Sequence, residues 1–380
     1  FLASFVGEGE GEDLARAHSF AQQMGDAVGD DASLAGARAG ENEHRAFDVA
    51  DRFALGGIQI GEERVHGGAV LGFRDAWRGV LDDDWEPLDV QRCRGILPRG
   101  GTILGTSRVQ PYQFSDGVEK VRAAIGRHEL DGFVVVGGDG SLSAARDLQA
   151  DGINCVGVPK TIDNDIAATE MTFGFDTAVH VATAAIDRLH TTAEAHDRVM
   201  VVEVMGRGAG HIAVRSGIAG GSTMTLIPEV PFDIAEVCEA LQRRHAGLSF
   251  ASIVVVAEGA TPVPGTMDEP EYEIDRFGHR RLGGISQRLA EEIEGRTGIE
   301  TRVTILGHIQ RGGTPTAFDR VLATRYGVAA ADAAADGAWG QMVALQADRI
   351  VRVPLSEATS APKQVDLELY DEVARPFFAS

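Results

Sequence analysis

Cysteine, lysine and aromatic residues are scarce in this chain. Cys93, Cys155 and Cys238 are its only cysteines across 380 residues. An odd, scattered set offers neither a disulfide framework nor a paired metal knuckle, and it suits a reducing compartment. Aromatics make up 6% of the residues, and Lys120, Lys160 and Lys363 are the only lysines among 35 basic side chains. No apolar run approaches the roughly 20 residues a membrane span needs, and no signal peptide is visible at Phe1. Positive charge is outweighed, 35 basic against 57 acidic residues for a net −22. A field of that sign repels a phosphate backbone and disfavours general nucleic-acid binding. Also missing are a G-x-x-x-x-G-K-[ST] loop, a G-x-G-x-x-G at a first βα turn, an H-E-x-x-H and a C-x-x-C pair. Gly206-Arg207-Gly208-Ala209-Gly210 lacks the dinucleotide spacing, so a dehydrogenase reading fails. The expectation is a soluble, cytoplasmic protein with no nucleic-acid and no membrane partner.

With 44% hydrophobic and 24% charged residues, the length is comfortable for two packed domains. From about Gly67 onward, short β-branched runs end in glycine-rich or polar turns and give way to helix-period segments. Strands are expected at Phe133–Val136, Cys155–Val158, Val199–Val204, Met224–Ile227, Ile253–Val256 and Arg302–Leu306. Strands alternating with helices mean an α/β fold with parallel sheets, whose ligands gather at the carboxyl ends of strands. Residues 1–66 behave differently. They contain no Pro, Thr, Lys, Tyr, Trp or Cys, and Gly7–Asp13 alternates glycine with carboxylates. Ala46–Leu55 has a helical composition, but no βα unit and no strand stands out before Gly67.

Several turns carry chemistry. Gly137-Gly138-Asp139-Gly140-Ser141 follows a strand and opens a helix. Its backbone N–H groups suit anionic oxygens and its Asp suits Mg²⁺; the bland alternative is a tight βα turn capped by Asp or Ser. Thr161-Ile162-Asp163-Asn164-Asp165 puts two carboxylates at a strand end. One is placed to accept a hydroxyl proton and the other to lie near a metal; the bland alternative is an Asx-turn. Arg198, Arg207, Arg302 and Arg311 stand at strand starts or ends in an otherwise acidic chain. They point to a phosphorylated small molecule rather than to four idle surface ion pairs. His308 alone would be a turn histidine, but beside Gln310-Arg311-Gly312-Gly313 it suits substrate recognition.

Together these blocks resemble the 6-phosphofructokinase family. The resemblance runs through Gly95–Arg108 (GILPRGGTILGTSR), GGDGS at 137–141, PKTIDND at 159–165 and AAIDRL at 184–189. It continues with VVEVMGR at 201–207, PEVPF at 228–232 and LGHIQRGG at 306–313, covering about four-fifths of the chain. NAD kinases share only the GGDG-type block. The resemblance implies two similar Rossmann-like α/β domains with the active site in the cleft between them. Residues 67–174 plus about 310–360 would form the phosphate-donor domain, and about 175–309 plus 361–380 the fructose-6-phosphate domain. It further implies ATP-dependent, Mg²⁺-dependent phosphorylation of fructose 6-phosphate in glycolysis. Asp163 would be the base, with Thr161 and Arg207 beside it in catalysis, and Asp139 the metal ligand. Thr161, Ile162, Asp163, Met205, Gly206, Arg207, Glu229, His308, Ile309, Gln310 and Arg311 match sugar-phosphate positions. Arg108, Val109, Gly138, Asp139, Gly140 and Ser141 match donor positions. Arg198 and Arg302 match arginines contributed across a subunit boundary, which implies a homo-oligomer, dimer or tetramer.

Donor choice in the family turns on two positions. Glycine after the GGD leaves room for the α-phosphate of ATP, whereas aspartate there favours pyrophosphate, usually with lysine in the PKTIDND block. Gly140 with Lys160 is a mixed pair; ATP is expected and pyrophosphate is the alternative donor. The family's N-terminal G-G-D-x-x-G-x-N loop has no counterpart in residues 1–66. A catalytically dead sugar-phosphate-binding subunit is therefore the second reading.

Overall fold

The computed structural model describes residues 2–6, 69–247, 252–267 and 283–375. The acidic run Gly7–Asp13 and the helical expectation for Ala46–Leu55 lie outside the described residues. In chain order the strands are β1 (Leu2–Val6), β2 (Ala69–Phe73), β3 (Trp85–Pro87), β4 (Leu130–Gly137), β5 (Cys155–Thr161) and β6 (Phe173–Gly174). They continue with β7 (Val199–Val204), β8 (Met224–Leu226), β9 (Ser252–Ala257), β10 (Thr301–Ile305), β11 (Gln341–Gln346) and β12 (Arg349–Pro354). The longer helices are α1 (Gly117–His128), α2 (Asp139–Ala150), α3 (Phe175–His196), α4 (His211–Ala219), α5 (Ile234–Ala246), α6 (Ile285–Thr297) and α7 (Ala317–Ala335).

Two sheets result. The larger has the order β12-β11-β5-β4-β1-β2-β3 with β6 beside β5, and the smaller the order β10-β7-β9-β8. Every pair in the smaller sheet is parallel, with β7 and β9 in register from Val199↔Ser252 to Val204↔Ala257. All residues of β7 and β9 are buried, the condition under which a strand reads as one continuous β-branched run. In the larger sheet the parallel pairs β4–β5, β5–β11 and β5–β6 form the middle. Antiparallel pairs flank them at β11–β12 and at β4–β1–β2–β3. The two sheets thus differ in strand number, while the α/β class with mainly parallel pairing holds. The expectation of no strand before Gly67 needs correcting, because Leu2–Val6 pairs on both edges, with β2 and with β4. Pairing on two sides outweighs a weak local signal.

Each sheet has its own core. Phe73, Trp77, Phe133, Leu142 and Leu148 fill one face of the larger sheet. Phe175, Ile186, Val202, Ile212 and Val255 fill one face of the smaller, joined there by Val365, Tyr370 and Ala374 from the end of the chain. That tail returns across both units. The Lys363 N–H donates to the Asp165 carbonyl at 2.8 Å, and the Val365 N–H donates to Glu229 at 3.1 Å.

The starts of α3 and α7 cap each other. Asp319 on α7 accepts from the Thr177 N–H (2.8 Å) and hydroxyl on α3, while the Thr316 hydroxyl donates to Asp176 at 2.6 Å. Asp319 is 3% exposed, and its Oδ1 has no partner among the described residues. Replacing it should therefore orphan a buried N–H and a buried hydroxyl. Asp319→Ala is expected to lower unfolding free energy by about 1–3 kcal/mol. A denaturation midpoint equal to that of the unsubstituted chain would remove this joint from the account of stability.

Candidate active site

A cleft of about 1210 Å³ opens where the carboxyl ends of β4 and β5 face Arg207 and the turn after β10. Its position follows from strand direction, since parallel strands deliver all their following loops to one edge. On the β4 side, Gly138 is the N-cap of α2 and no side chain caps that helix start. The Ser141 N–H already donates to the Gly138 carbonyl at 3.1 Å, so the Asp139 and Gly140 N–H groups are the ones left for an anion, with the positive end of the helix behind them. Asp139 and Gly140 are exposed there, beside Ser141, Arg108 and Val109 on the cleft wall.

Asp163 stands at the centre. It is 7% exposed, and its Oδ1 is buried without a hydrogen-bond partner among the described residues. Asn164 explains how the chain presents it. That residue adopts a left-handed conformation (φ 53°), and its side chain accepts from the Thr172 N–H at 2.9 Å and donates to the Glu170 carbonyl at 3.2 Å. Asn164 thus closes the loop through residues six and eight positions on, rather than by a local Asx-turn, while Asp163 lines the cleft. The Thr161 hydroxyl accepts from the Asp163 N–H at 3.1 Å. Burial pushes the Asp163 carboxyl above the ordinary carboxylate range; Arg207 and Arg311 oppose the shift, and Glu258 adds to it. Arg207 Nε lies 3.9 Å from Asp163 Oδ2. Asp165 is pushed up to about 6, first by burial and then by the charge of Asp163. Lys160, on the cleft wall, is held below its usual pKa by burial and by Arg311.

Arg207 occupies a strained turn, at φ 52°. Glu258 Oε1 holds it by accepting the N–H groups of Gly206 (3.3 Å) and Arg207 (3.0 Å). Gly259 must lack a side chain here, because a Cβ would stand 2.1 Å from the Arg207 carbonyl oxygen. Glu258 is a site residue that the motif reading did not assign, whereas Asp165 is the second carboxylate it placed near a metal. The signal for Asp165 was its place in the TIDND block; that for Glu258 was the Glu258-Gly259 turn after β9.

Thr161, Ile162, Asp163, Arg207, Gln310 and Arg311 share the cleft with Arg108, Val109, Gly138, Asp139, Gly140, Ser141 and Lys160. Other expected residues lie elsewhere. The Met205 side chain is in the core, and its N–H donates to Gln310 Oε1 at 3.4 Å, so buried Gln310 clamps two strand ends together. Gly206 is buried behind Arg207. Glu229 is off the cleft wall, because its carboxylate is engaged by the N–H groups of Gly210 and Val365. His308 and Ile309 are exposed on a 3₁₀ turn outside the cleft. Arg198 and Arg302 sit at the amino ends of β7 and β10, one strand length (about 20 Å for six residues) from the carboxyl ends. Both pair with Glu300, Arg198 at 2.7 Å. Among the described residues, no three His, Cys, Asp or Glu side chains converge as a preformed metal cage, and no helix is long and apolar enough to cross a membrane.

Backbone donors on one wall and a buried carboxylate between arginines on the other are the means of moving a phosphoryl group between two small anions. The class is that of an α/β phosphotransferase. The phosphofructokinase family model matches residues 60–334, and the chain belongs to that family. It is 55% identical over 314 residues to a pyrophosphate–fructose 6-phosphate 1-phosphotransferase of Amycolatopsis methanolica, covering 83% of this chain and 92% of that one. To an ATP-dependent 6-phosphofructokinase of Corynebacterium efficiens it is 52% identical, covering 80% and 88%. A solved pyrophosphate-dependent phosphofructokinase of Marinobacter aquaeolei superposes with a TM-score of 0.68 at 25% identity, covering 84% and 83%.

Proposed function

We propose that this chain transfers the terminal phosphoryl group of ATP to the 1-hydroxyl of fructose 6-phosphate, giving fructose 1,6-bisphosphate. The observation that carries the reading is Asp163, a buried carboxylate with an uncommitted oxygen in a cleft shared with the open start of α2. A base at that point accepts the hydroxyl proton as the new P–O bond forms. Arg207 and Arg311 hold the sugar phosphate and offset charge on the transferring group, with Thr161 and Ile162 shaping the acceptor side. Arg108, Val109, Gly138, Asp139, Gly140 and Ser141 hold the donor.

Mg²⁺ fits this arrangement, since the buried, unpartnered Asp165 Oδ1 and the like-charge crowding of Asp139, Asp163 and Asp165 favour a cation. Asp139 and Asp165 are the carboxylates available to it, and an ion that keeps most of its water needs few protein ligands. When bound, it neutralises phosphate charge. Pyrophosphate is the second reading for the donor, favoured by the name of the Amycolatopsis methanolica relative and by Lys160. A coupled assay of fructose 1,6-bisphosphate formation with each donor decides between them. Calorimetry with fructose 6-phosphate separates either reading from a binding-only subunit, which would take up the sugar with no turnover.

The active unit is a homo-oligomer, at least a dimer, in which Arg198 and Arg302 complete a neighbour's sugar-phosphate site. Their distance from this chain's own cleft supports that reading. Arg198→Ala should weaken fructose 6-phosphate binding by about 1.5–3 kcal/mol, roughly 10- to 150-fold. A loss within the roughly 0–1 kcal/mol of an exposed ion pair would leave Arg198 as a partner of Glu300 and nothing more.

A further inference from the structure

In the direction a side chain would take, Gly140 has one near neighbour. A Cβ built there would meet a single non-neighbouring heavy atom within 4 Å among the described residues, Gln110 Nε2 at 2.9 Å. The Gln110 amide therefore stands where a side chain at position 140 would begin. It is held there by donating to the Gly140 carbonyl at 3.1 Å.

Its own turn is fixed independently. Gln110 is the N-cap of a 3₁₀ turn, Pro111–Gln113, with Pro111 in the first position. Gln113 Oε1 accepts the Gln110 N–H at 3.2 Å, and the Gln113 amide donates to the Arg108 carbonyl at 3.4 Å. Tyr112 anchors the turn through a 2.7 Å hydrogen bond to Asp151, at the far end of α2. The motif reading passed over Gln110, which lines the cleft between Val109 and the start of α2.

We infer that Gln110 is a specificity-determining residue for the phosphoryl donor, acting with Gly140 as a pair. The inference deepens the donor assignment proposed above and rests on it. A primary amide has two N–H donors. One goes to the Gly140 carbonyl, and the second remains for a phosphate oxygen of a donor lying along the start of α2. A long donor such as ATP meets the Gln110–Gly140 pair with phosphate beyond its reacting end. Pyrophosphate ends before it and depends on the pair much less. Side-chain identity at 110 therefore sets how much of a long donor the cleft accepts, even with glycine kept at 140.

Gln110→Glu and Gln110→Met test this in the full chain, at a half-exposed position that tolerates both shapes. Binding of ATP and of pyrophosphate is measured by calorimetry, alongside kcat/KM for each. Gln110→Glu sets a carboxylate against both the Gly140 carbonyl and the incoming phosphate. It is expected to lower ATP affinity and kcat/KM at least about tenfold more than those for pyrophosphate, as like charges a few ångströms apart require. Gln110→Met keeps the volume and loses the donor, and should cost ATP a few-fold while leaving pyrophosphate unchanged. An ATP-to-pyrophosphate ratio equal to that of the unsubstituted chain in both variants overturns the inference. Absence of turnover by the unsubstituted chain with either donor overturns the proposed function instead, and the calorimetric ratio still decides the role of Gln110.

Discussion

Asp163→Asn should reduce kcat by about 10²- to 10⁴-fold, the range a general base contributes. KM for fructose 6-phosphate is expected to change little, because proton acceptance matters in the transition state and not in binding. The substitution is nearly isosteric. Asn keeps the backbone N–H bond to Thr161 and leaves Asn164, which closes the loop, untouched. Arg207 loses a charge partner 3.9 Å away, too distant and too exposed to account for a large kinetic effect. Steady-state measurement of fructose 1,6-bisphosphate formation separates the two parameters. Near-full kcat in the variant would remove Asp163 from the base role.

Gly140→Asp should invert or strongly compress donor preference. The new carboxylate brings bulk and like charge to the start of α2, where an incoming polyphosphate lies close to the helix N–H groups. ATP activity is expected to fall by more than about tenfold, since a single like-charge contact there is worth that much. Pyrophosphate should lose less or gain, with Lys160 already on the same wall. Gln110 must also move aside, because its amide occupies the space of the new Cβ. Equal loss with both donors would mean that position 140 shapes the turn and does not select the donor. A native preference for pyrophosphate would make Lys160 the better guide.

Strands β7 and β9 were legible because each is buried on both faces and so reads as a nearly continuous β-branched run. Val199–Val204 was placed to the residue, and β4, β5, β9 and β10 to within a few. The antiparallel flanks were not. Trp85–Pro87 is three residues long and ends in proline, and Leu2–Val6 has no local pattern strong enough to announce a strand. At the site, residues on strand-end turns were visible, since the glycine punctuation that ends a strand also places the cleft. What stayed hidden depends on distant partners. Gln110 matters through Gly140, thirty residues on, and Glu258 through the N–H groups of Gly206 and Arg207. The engagement of the Glu229 carboxylate by the far end of the chain was hidden for the same reason.

That far end bears on how the molecule is made. The larger sheet receives β11 and β12 only after residue 354 has emerged, and the smaller core receives Val365, Tyr370 and Ala374 later still. Neither unit can reach its final packing before those segments have been made, although β7, β9 and their helices are available much earlier. Synthesis from the N-terminus thus leaves the larger hydrophobic core incomplete until Ala358 and the smaller until Ala374. Apolar surface stays open over that interval, and such surface is prone to aggregation. A premature stop before Val365 would leave an unfinished core in each newly made chain, not a trimmed but finished protein.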